Sequence, residues 1–200
     1  APMLTARSHL AAAVVNNSSG QPVLYAIGGS GASASRRVEA YNYATNSWTR
    51  RADLPFSGAG IGRNGAGVIN DRIYVTGTAP NRRLYEYNPA ANVWRTRAWL
   101  PVQSFGGVSA TIEGKLYVLI GNSGVYADSS SGRRLYRYDP STNTWTRRAD
   151  CPDYHADGAA AVLGGKLYVT DGLILGTRFE WDPPSEVVSV YNPATNRWTT

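Results

Sequence analysis

Apolar positions along the chain come in runs of about five residues, some alternating with polar ones and some continuous, and each run closes on Gly, Asn, Asp or Pro. No stretch carries a 3.6-residue apolar stripe, so the pattern predicts β-strands throughout. Four kinds of run recur in a fixed order. The first is small and apolar: LAAAVV (Leu10 to Val15), GAGVI (Gly65 to Ile69), VSATI (Val108 to Ile112) and AAAVL (Ala159 to Leu163). Its Ala and Gly content predicts a crowded position near a central axis. The second is VLYAI (Val23 to Ile27), RIYVT (Arg72 to Thr76), KLYVLI (Lys115 to Ile120) and KLYVT (Lys166 to Thr170), two of them preceded by tight turns at Gly114 and at Gly164 and Gly165. A third strand ends on a Tyr and a fourth begins near a Trp. The segments between them, such as NPAAN, DPSTN and NPATN, carry the Asn/Asp-Pro and Asn chemistry of turns.

That Tyr and Trp mark an internal repeat. YNYATNSW (Tyr41 to Trp48), YNPAANVW (Tyr87 to Trp94), YDPSTNTW (Tyr138 to Trp145) and YNPATNRW (Tyr191 to Trp198) all place Tyr seven residues before Trp, with Trp-to-Trp spacings of 46, 51 and 53. After the first three Trp residues an Arg-rich segment closes on Pro55, Pro101 or Pro152. The chain therefore divides into units near 1–55, 56–101, 102–152 and 153–200. Four antiparallel strands in about 50 residues make one propeller blade, so the expected fold is an all-β propeller of four four-stranded blades. The eight repeated aromatics are expected to fill the space between blades.

The Tyr, the six-residue gap, the Trp, the Gly-Gly of AIGG (Gly28, Gly29) and the period together resemble kelch repeats over essentially the whole chain. Only the first unit keeps both glycines; the others read VTGT (Gly77), LIGN (Gly121) and VTDG (Gly172). Kelch propellers usually close with more blades than four, which leaves two apolar blade faces to be hidden. Three closures stand open: two chains meeting head to tail twice in an eight-bladed ring, a strained four-bladed ring, or membership of a longer propeller. The homodimer, joined through blade 1 and blade 4, is the expectation.

Composition narrows the chemistry. Hydrophobic residues at 42% and aromatics at 11% exclude a disordered chain, and no apolar run is long enough to span a bilayer as a helix. The single cysteine, Cys151, excludes an internal disulfide framework and a cysteine-based zinc cluster. The opening APMLTARSH has neither an initiator Met nor a signal-type apolar core, and is expected to begin a mature product or an excised piece. The net charge of +6 is carried almost wholly by Arg, with Lys115 and Lys166 the only lysines, a bias that hints at a GC-rich bacterial genome. Arg pairs recur before the third strand (Arg36-Arg37, Arg82-Arg83, Arg133-Arg134) and after the Trp (Arg50-Arg51, Arg95 and Arg97, Arg147-Arg148). Edge protection explains such cations better than nucleic-acid binding, which is not expected.

The resemblance implies that the fourth-to-first and second-to-third strand loops share one face of the disc, where family members often bind partners. Alignment on the first strands puts Arg7, Ile61, Ser104 and His155 in one position, and His9, Arg63, Gly106 and Asp157 two residues later. Both rows are expected at the mouth of the channel, with Arg7 where ligand-binding kelch domains commonly present an arginine. The implied binding candidates are Arg7, His9, Arg63, Ser104, His155 and Asp157, suited to an anion, carboxylate or carbohydrate, with contacts to neighbouring loops as the alternative reading. The long second-to-third loops add Tyr126, Phe179 and Trp181 as tip candidates. A copper-radical oxidase on such blades would need paired Tyr and His ligands with a Cys cross-linked to one Tyr, and the only histidines here are His9 and His155. Cys151 stands where the first two units have Leu54 and Leu100 and reads as a buried hydrophobe, not a nucleophile. No metal, cofactor or catalytic residue is expected; the reading is a non-enzymatic scaffold binding a protein or small ligand. The alternative is a carbohydrate-active bacterial propeller enzyme, for which Asp157, His155 and Arg63 form the one cluster on offer.

Overall fold

The computed structural model describes residues 1–200 except 32–34, 57–64, 78–79, 105, 122–131 and 171–185. Four separate antiparallel sheets follow one another along the chain, each in simple meander order. The first holds β1 (Ala11–Asn16), β2 (Pro22–Ile27), β3 (Val38–Asn42) and β4 (Ser47–Arg50). The second holds β5 (Ala66–Ile69), β6 (Arg72–Thr76), β7 (Arg83–Asn88) and β8 (Val93–Trp99). In the third are β9 (Val108–Ile112), β10 (Lys115–Leu119), β11 (Leu135–Asp139) and β12 (Thr144–Arg147). The fourth comprises β13 (Ala159–Leu163), β14 (Lys166–Thr170), β15 (Ser189–Asn192) and β16 (Arg197–Thr199). These are four propeller blades, packed in sequence with β1 beside β5, β5 beside β9 and β9 beside β13.

The period of two decides which side chains meet the next blade. In β1, Ala11, Ala13 and Val15 are buried while Ala12 and Val14 are not. A small residue stands opposite the second-strand Tyr in every blade: Ala13 with Tyr25, Gly67 with Tyr74, Ala110 with Tyr117 and Ala161 with Tyr168. The small partner leaves room for the ring to lean toward the following blade. There it meets the repeated third-strand Tyr: Tyr25 with Tyr87 at 5.8 Å between centroids, Tyr74 with Tyr138 at 5.9 Å and Tyr117 with Tyr191 at 5.9 Å. Each third-strand Tyr in turn tilts against its own Trp, at 4.8 to 5.1 Å. Tyr87, Tyr138 and Tyr191 are wholly buried, as are Leu54 and Leu100, while Cys151, in the equivalent connector position, is 1% exposed. Burial pushes the Cys151 thiol up from its ordinary pKa, as befits a small hydrophobe in a core.

Polar groups then lock each joint. The Asn two residues before the Trp has a left-handed backbone, with φ of 57° at Asn92, 54° at Asn143 and 54° at Asn196, a conformation Asn tolerates better than most. Its side-chain oxygen accepts from the neighbouring Tyr hydroxyl (2.6 Å at Asn92, 2.8 Å at Asn143 and Asn196). The same oxygen accepts from an alanine N–H of the preceding connector: Ala52 onto Asn92, Ala98 onto Asn143 and Ala149 onto Asn196. The Trp indole closes the clasp by donating to that alanine's carbonyl, at 2.9, 3.2 and 2.8 Å. Each such bond contributes about 0.5–1.5 kcal/mol net. Several arginines are connector staples: Arg36 donates to Leu54 O, Arg82 to Pro101 O and Arg133 to Pro152 O, while Arg51 and Arg148 reach across to Pro89 O and Pro193 O of the next blade. The Arg repeats are thus written by the joints as much as by the outer edges.

Candidate functional site

The first strands are the innermost of each blade, and all four contribute to one central cavity of about 530 Å³. Leu10 and Ala12 come from the first blade, Gly65 and Ala66 from the second, Gly107, Val108 and Ser109 from the third, and Gly158 and Ala160 from the fourth. Among the described residues lining it, His9 and Asp157 carry the titratable side chains. The walls are otherwise small side chains and first-strand backbone, which is what the Ala and Gly of the first run demanded.

The backbone explains why His9 and Asp157 stand there. His9, Gly106 and Asp157 occupy equivalent places just before β1, β9 and β13, and all three have left-handed backbones, with φ of 51°, 69° and 57°. Glycine adopts that region freely; His and Asp do so with strain. At Gly106 a side chain has no space either, since a Cβ would lie 2.7 Å from Asp157 Oδ1. The two corners touch, with the Asp157 N–H donating to Gly106 O at 2.7 Å. His9 Nδ1 is 3.0 Å from the Ser8 hydroxyl.

Two residues earlier the environment is the opposite. Arg7 lies inside blade 1 with its side chain fully buried, ion-paired to Glu39 at 3.1 Å and donating to Ala26 O at 3.2 Å. His155 and Ser104 are each 1% exposed. His155 Nε2 shares a 2.9 Å hydrogen bond with the Ser189 hydroxyl, which donates to Asp153 at 3.4 Å. Ser104 accepts from the Gly121 N–H at 3.3 Å. The two rows expected together at the mouth are therefore separated: Arg7, Ser104 and His155 point into their own blades, and His9 and Asp157 line the cavity. The left-handed residue does this, because residues two apart share a face in a regular strand but not across a left-handed corner. Asp157 lines the central cavity, whereas His155 is buried against Ser189 of its own blade. Ile61, Arg63, Tyr126, Phe179 and Trp181 lie outside the described residues.

The partners of the buried row escaped sequence reasoning, although a signal for them exists. Glu39, Tyr85, Tyr136 and Ser189 all stand two residues before the repeated Tyr, and Glu39 and Ser189 break an aromatic pattern at the positions that receive Arg7 and His155. The shared face of the loops is visible in blade 1, where Ser8 and Ser30 exchange backbone hydrogen bonds of 3.0 and 2.7 Å. Gly29 between them has φ of 110°, and a Cβ there would lie 2.7 Å from Ser8 O. Among the described residues no group of three or more His, Cys, Asp and Glu is placed to hold a metal ion.

Comparison with known proteins agrees with this architecture. The kelch motif model matches residues 6–55 and 105–152. Human Kelch-like protein 21 is 35% identical over 96 residues, covering 48% of this chain and 14% of that protein. Kelch-like protein 38 of Rattus norvegicus is 39% identical over 67 residues, or 34% and 11% of the two chains. The kelch repeat protein M-T8 of Myxoma virus (strain Lausanne) is 28% identical over 71 residues, or 36% and 13%. The chain thus spans only about one seventh or less of these relatives' length. Among solved structures, that of YjhT superposes with a TM-score of 0.77 over 98% of this chain and 66% of that one, at 20% identity, a likeness of fold. The repeated Tyr–Trp joint, the four meander blades and these matches together place the chain in the kelch-repeat family.

Proposed function

We propose that the chain is a non-enzymatic binding scaffold whose recognition site is the central cavity and its rim, taking a protein segment or a small ligand. One observation carries the reading: His9 and Asp157 line a cavity of about 530 Å³ from backbone conformations that glycine would adopt without strain. Blade 3 uses Gly106 at the same corner, so the blade architecture does not require a side chain there. Backbone strain kept at a cavity rim is a recurrent mark of recognition. His and Asp side by side with first-strand backbone offer both donors and acceptors, suited to a peptide main chain or a polyol.

The test is selection of a random peptide display library on the wild type and on the His9→Gly, Asp157→Gly double variant, with a panel of mono- and disaccharides assayed in parallel for binding and for turnover. Glycine suits both corners, so the double variant keeps the fold. Ligands retained by the wild type and lost by the variant support the proposal. Ligands indifferent to the double change, or none from either collection, sink it. Chemical conversion of a sugar would replace it with the enzyme reading.

A further inference from the structure

We propose that the cleft between blades 1 and 2, at the opposite end of the first strands from His9, is a second binding site and takes a small organic carboxylate. The site is independent of what the central cavity binds, and every residue that forms it is among those described.

The cleft has a volume of about 560 Å³. Tyr25, Ala40, Thr49 and Arg51 of blade 1 line it together with Asp71 and Arg72 of blade 2. Its chemistry is legible because the next joint repeats it. Between blades 2 and 3 a smaller cleft, of about 360 Å³, is lined at the equivalent places by Tyr74, Glu86, Arg95 and Arg97. There the residue paired across the strands with the second-strand Tyr is Glu86. Its carboxylate accepts from the Tyr74 hydroxyl at 2.9 Å and from Arg97 at 2.7 and 2.6 Å. That joint holds a carboxylate between a phenol and a guanidinium fork.

Blade 1 has the same Tyr and the same Arg, but Ala40 stands across from Tyr25 where blade 2 has Glu86 across from Tyr74. An alanine methyl does not reach the place that the Glu86 carboxylate takes. Tyr25 is 5% exposed, and among the described residues no group hydrogen-bonds its hydroxyl. In blade 3 the corresponding Tyr117 stands against Arg137, whose charge and hydrogen bond oppose the rise that burial gives the Tyr117 pKa. Lys115 and Asp139, at the places of Val23 and Asn42, pair with each other there at 2.7 Å. Blade 1 is therefore the joint whose Tyr and Arg are set for a carboxylate from outside the chain. A buried hydroxyl without a partner costs free energy that a ligand acceptor recovers. Arg51 donates through Nε to the Tyr87 hydroxyl at 3.4 Å and through Nη2 to Pro89 O at 2.9 Å, and among the described residues its Nη1 makes no hydrogen bond. Arg72 brings a second guanidinium, so the lining carries two cations against the one carboxylate of Asp71. A carboxylate meeting Tyr25 and these guanidiniums receives charge-assisted hydrogen bonds of the kind Glu86 makes one blade later.

The experiment is a proton–nitrogen NMR titration of the full chain with acetate, lactate and succinate. Acetamide, lactamide and succinamide serve as neutral counterparts, and inorganic phosphate as another oxyanion. The variants are Tyr25→Phe, which removes only the hydroxyl, and Ala40→Glu, which supplies the carboxylate from within. The expected result is a saturable shift of the Arg51 Nε–H signal and of the cleft amides with at least one carboxylate, and none with its amide. Tyr25→Phe should weaken that binding about tenfold. Ala40→Glu should abolish it and place the Arg51 signal near its ligand-bound position. The proposal is overturned if no carboxylate saturates the signal, if the amides or phosphate bind as well, or if the saturable shifts fall on His9 and Asp157 instead. Tyr25→Phe binding as tightly as the wild type overturns it too, and that variant decides the matter should Ala40→Glu fail to fold.

Discussion

The face between blades 3 and 4 and the outer face of blade 4 are built from nearly the same residues and have opposite environments. Val108, Ala110, Ile112 and Tyr117 form the first, Ala159, Ala161, Leu163 and Tyr168 the second. The first set is 3 to 9% exposed, whereas Ala159, Ala161 and Leu163 lie open. In a repeat protein stability is approximately a sum of unit and nearest-neighbour terms. Equivalent positions therefore contribute to the joint in blade 3 and are more exposed in blade 4. Sequence similarity between units does not carry energetic equivalence; adjacency does.

The sharpest way to break this comparison is one substitution made at both places. Ile112→Asp forces a carboxylate into the closed joint at a site only 3% exposed, and should cost about 3 kcal/mol or more. Leu163→Asp, at the equivalent position, should change the stability of the single chain by about 0.5 kcal/mol or less. Urea midpoints measured at low protein concentration decide it. Equal losses would mean that blade 4 is covered within one chain and that the difference between the faces is false.

How far this architecture can be read from the sequence differs between the joints and the site. The strands VSATI and KLYVT fall where the alternating pattern puts them, since a half-buried strand writes its period of two directly, and RIYVT, buried on both faces, falls where a continuous apolar run puts it. The Tyr and Trp repeat was equally legible, because every joint needs the same aromatic pair and clasp. The site was half legible. Equivalence placed His9, Gly106 and Asp157 in one row, and that row shares a left-handed corner. The row of Arg7, Ser104 and His155 was expected beside it at the mouth. What the sequence did not reveal is that the chain turns between the two rows, since a positive φ at His or Asp has no compositional mark as it would at Gly. Burial of Arg7 depends on Glu39, 32 residues away and on another strand, and a single unit does not announce such a pairing.

A smaller effect separates the closed joints by pH. Tyr138 is held above its ordinary value of 10, up to about 12, chiefly by burial and with Glu86 adding to the rise against the opposing pull of Arg97. Tyr74 is raised further by burial and by its hydrogen bond to Glu86, and Tyr25, Tyr87 and Tyr117 are raised by burial as well. A folded-state value above the unfolded one means that the unfolded chain releases its protons first. The stability of the joints is therefore complete below pH 10 and declines as the pH climbs through about 12. Denaturation midpoints should be flat across neutral pH and fall on the alkaline limb, with a shallower fall in Tyr138→Phe. Identical alkaline limbs for wild type and variant would remove Tyr138 from the account.

The smallest effect concerns the corner row and has an unusual sign. Asp157→Gly removes a side chain from a backbone with φ of 57°, which Gly adopts without strain, so the chain should keep its stability or gain up to about 1 kcal/mol. Gly106→Ala, one blade earlier, should do the reverse. It adds a Cβ both to a left-handed backbone and to the space held by Asp157, 2.7 Å away, and should cost more than about 1 kcal/mol. The pair is read by thermal denaturation, and because the two corners touch, the double variant is informative. Removing the Asp157 side chain relieves the clash but not the φ strain, so the double variant should recover part of the Gly106→Ala loss. If Asp157→Gly alone were destabilising by 2 kcal/mol or more, Asp157 would be a structural tie between blades 3 and 4. A gain would mean that this corner holds a residue the fold does not need, which is the condition under which a binding role accounts for its presence.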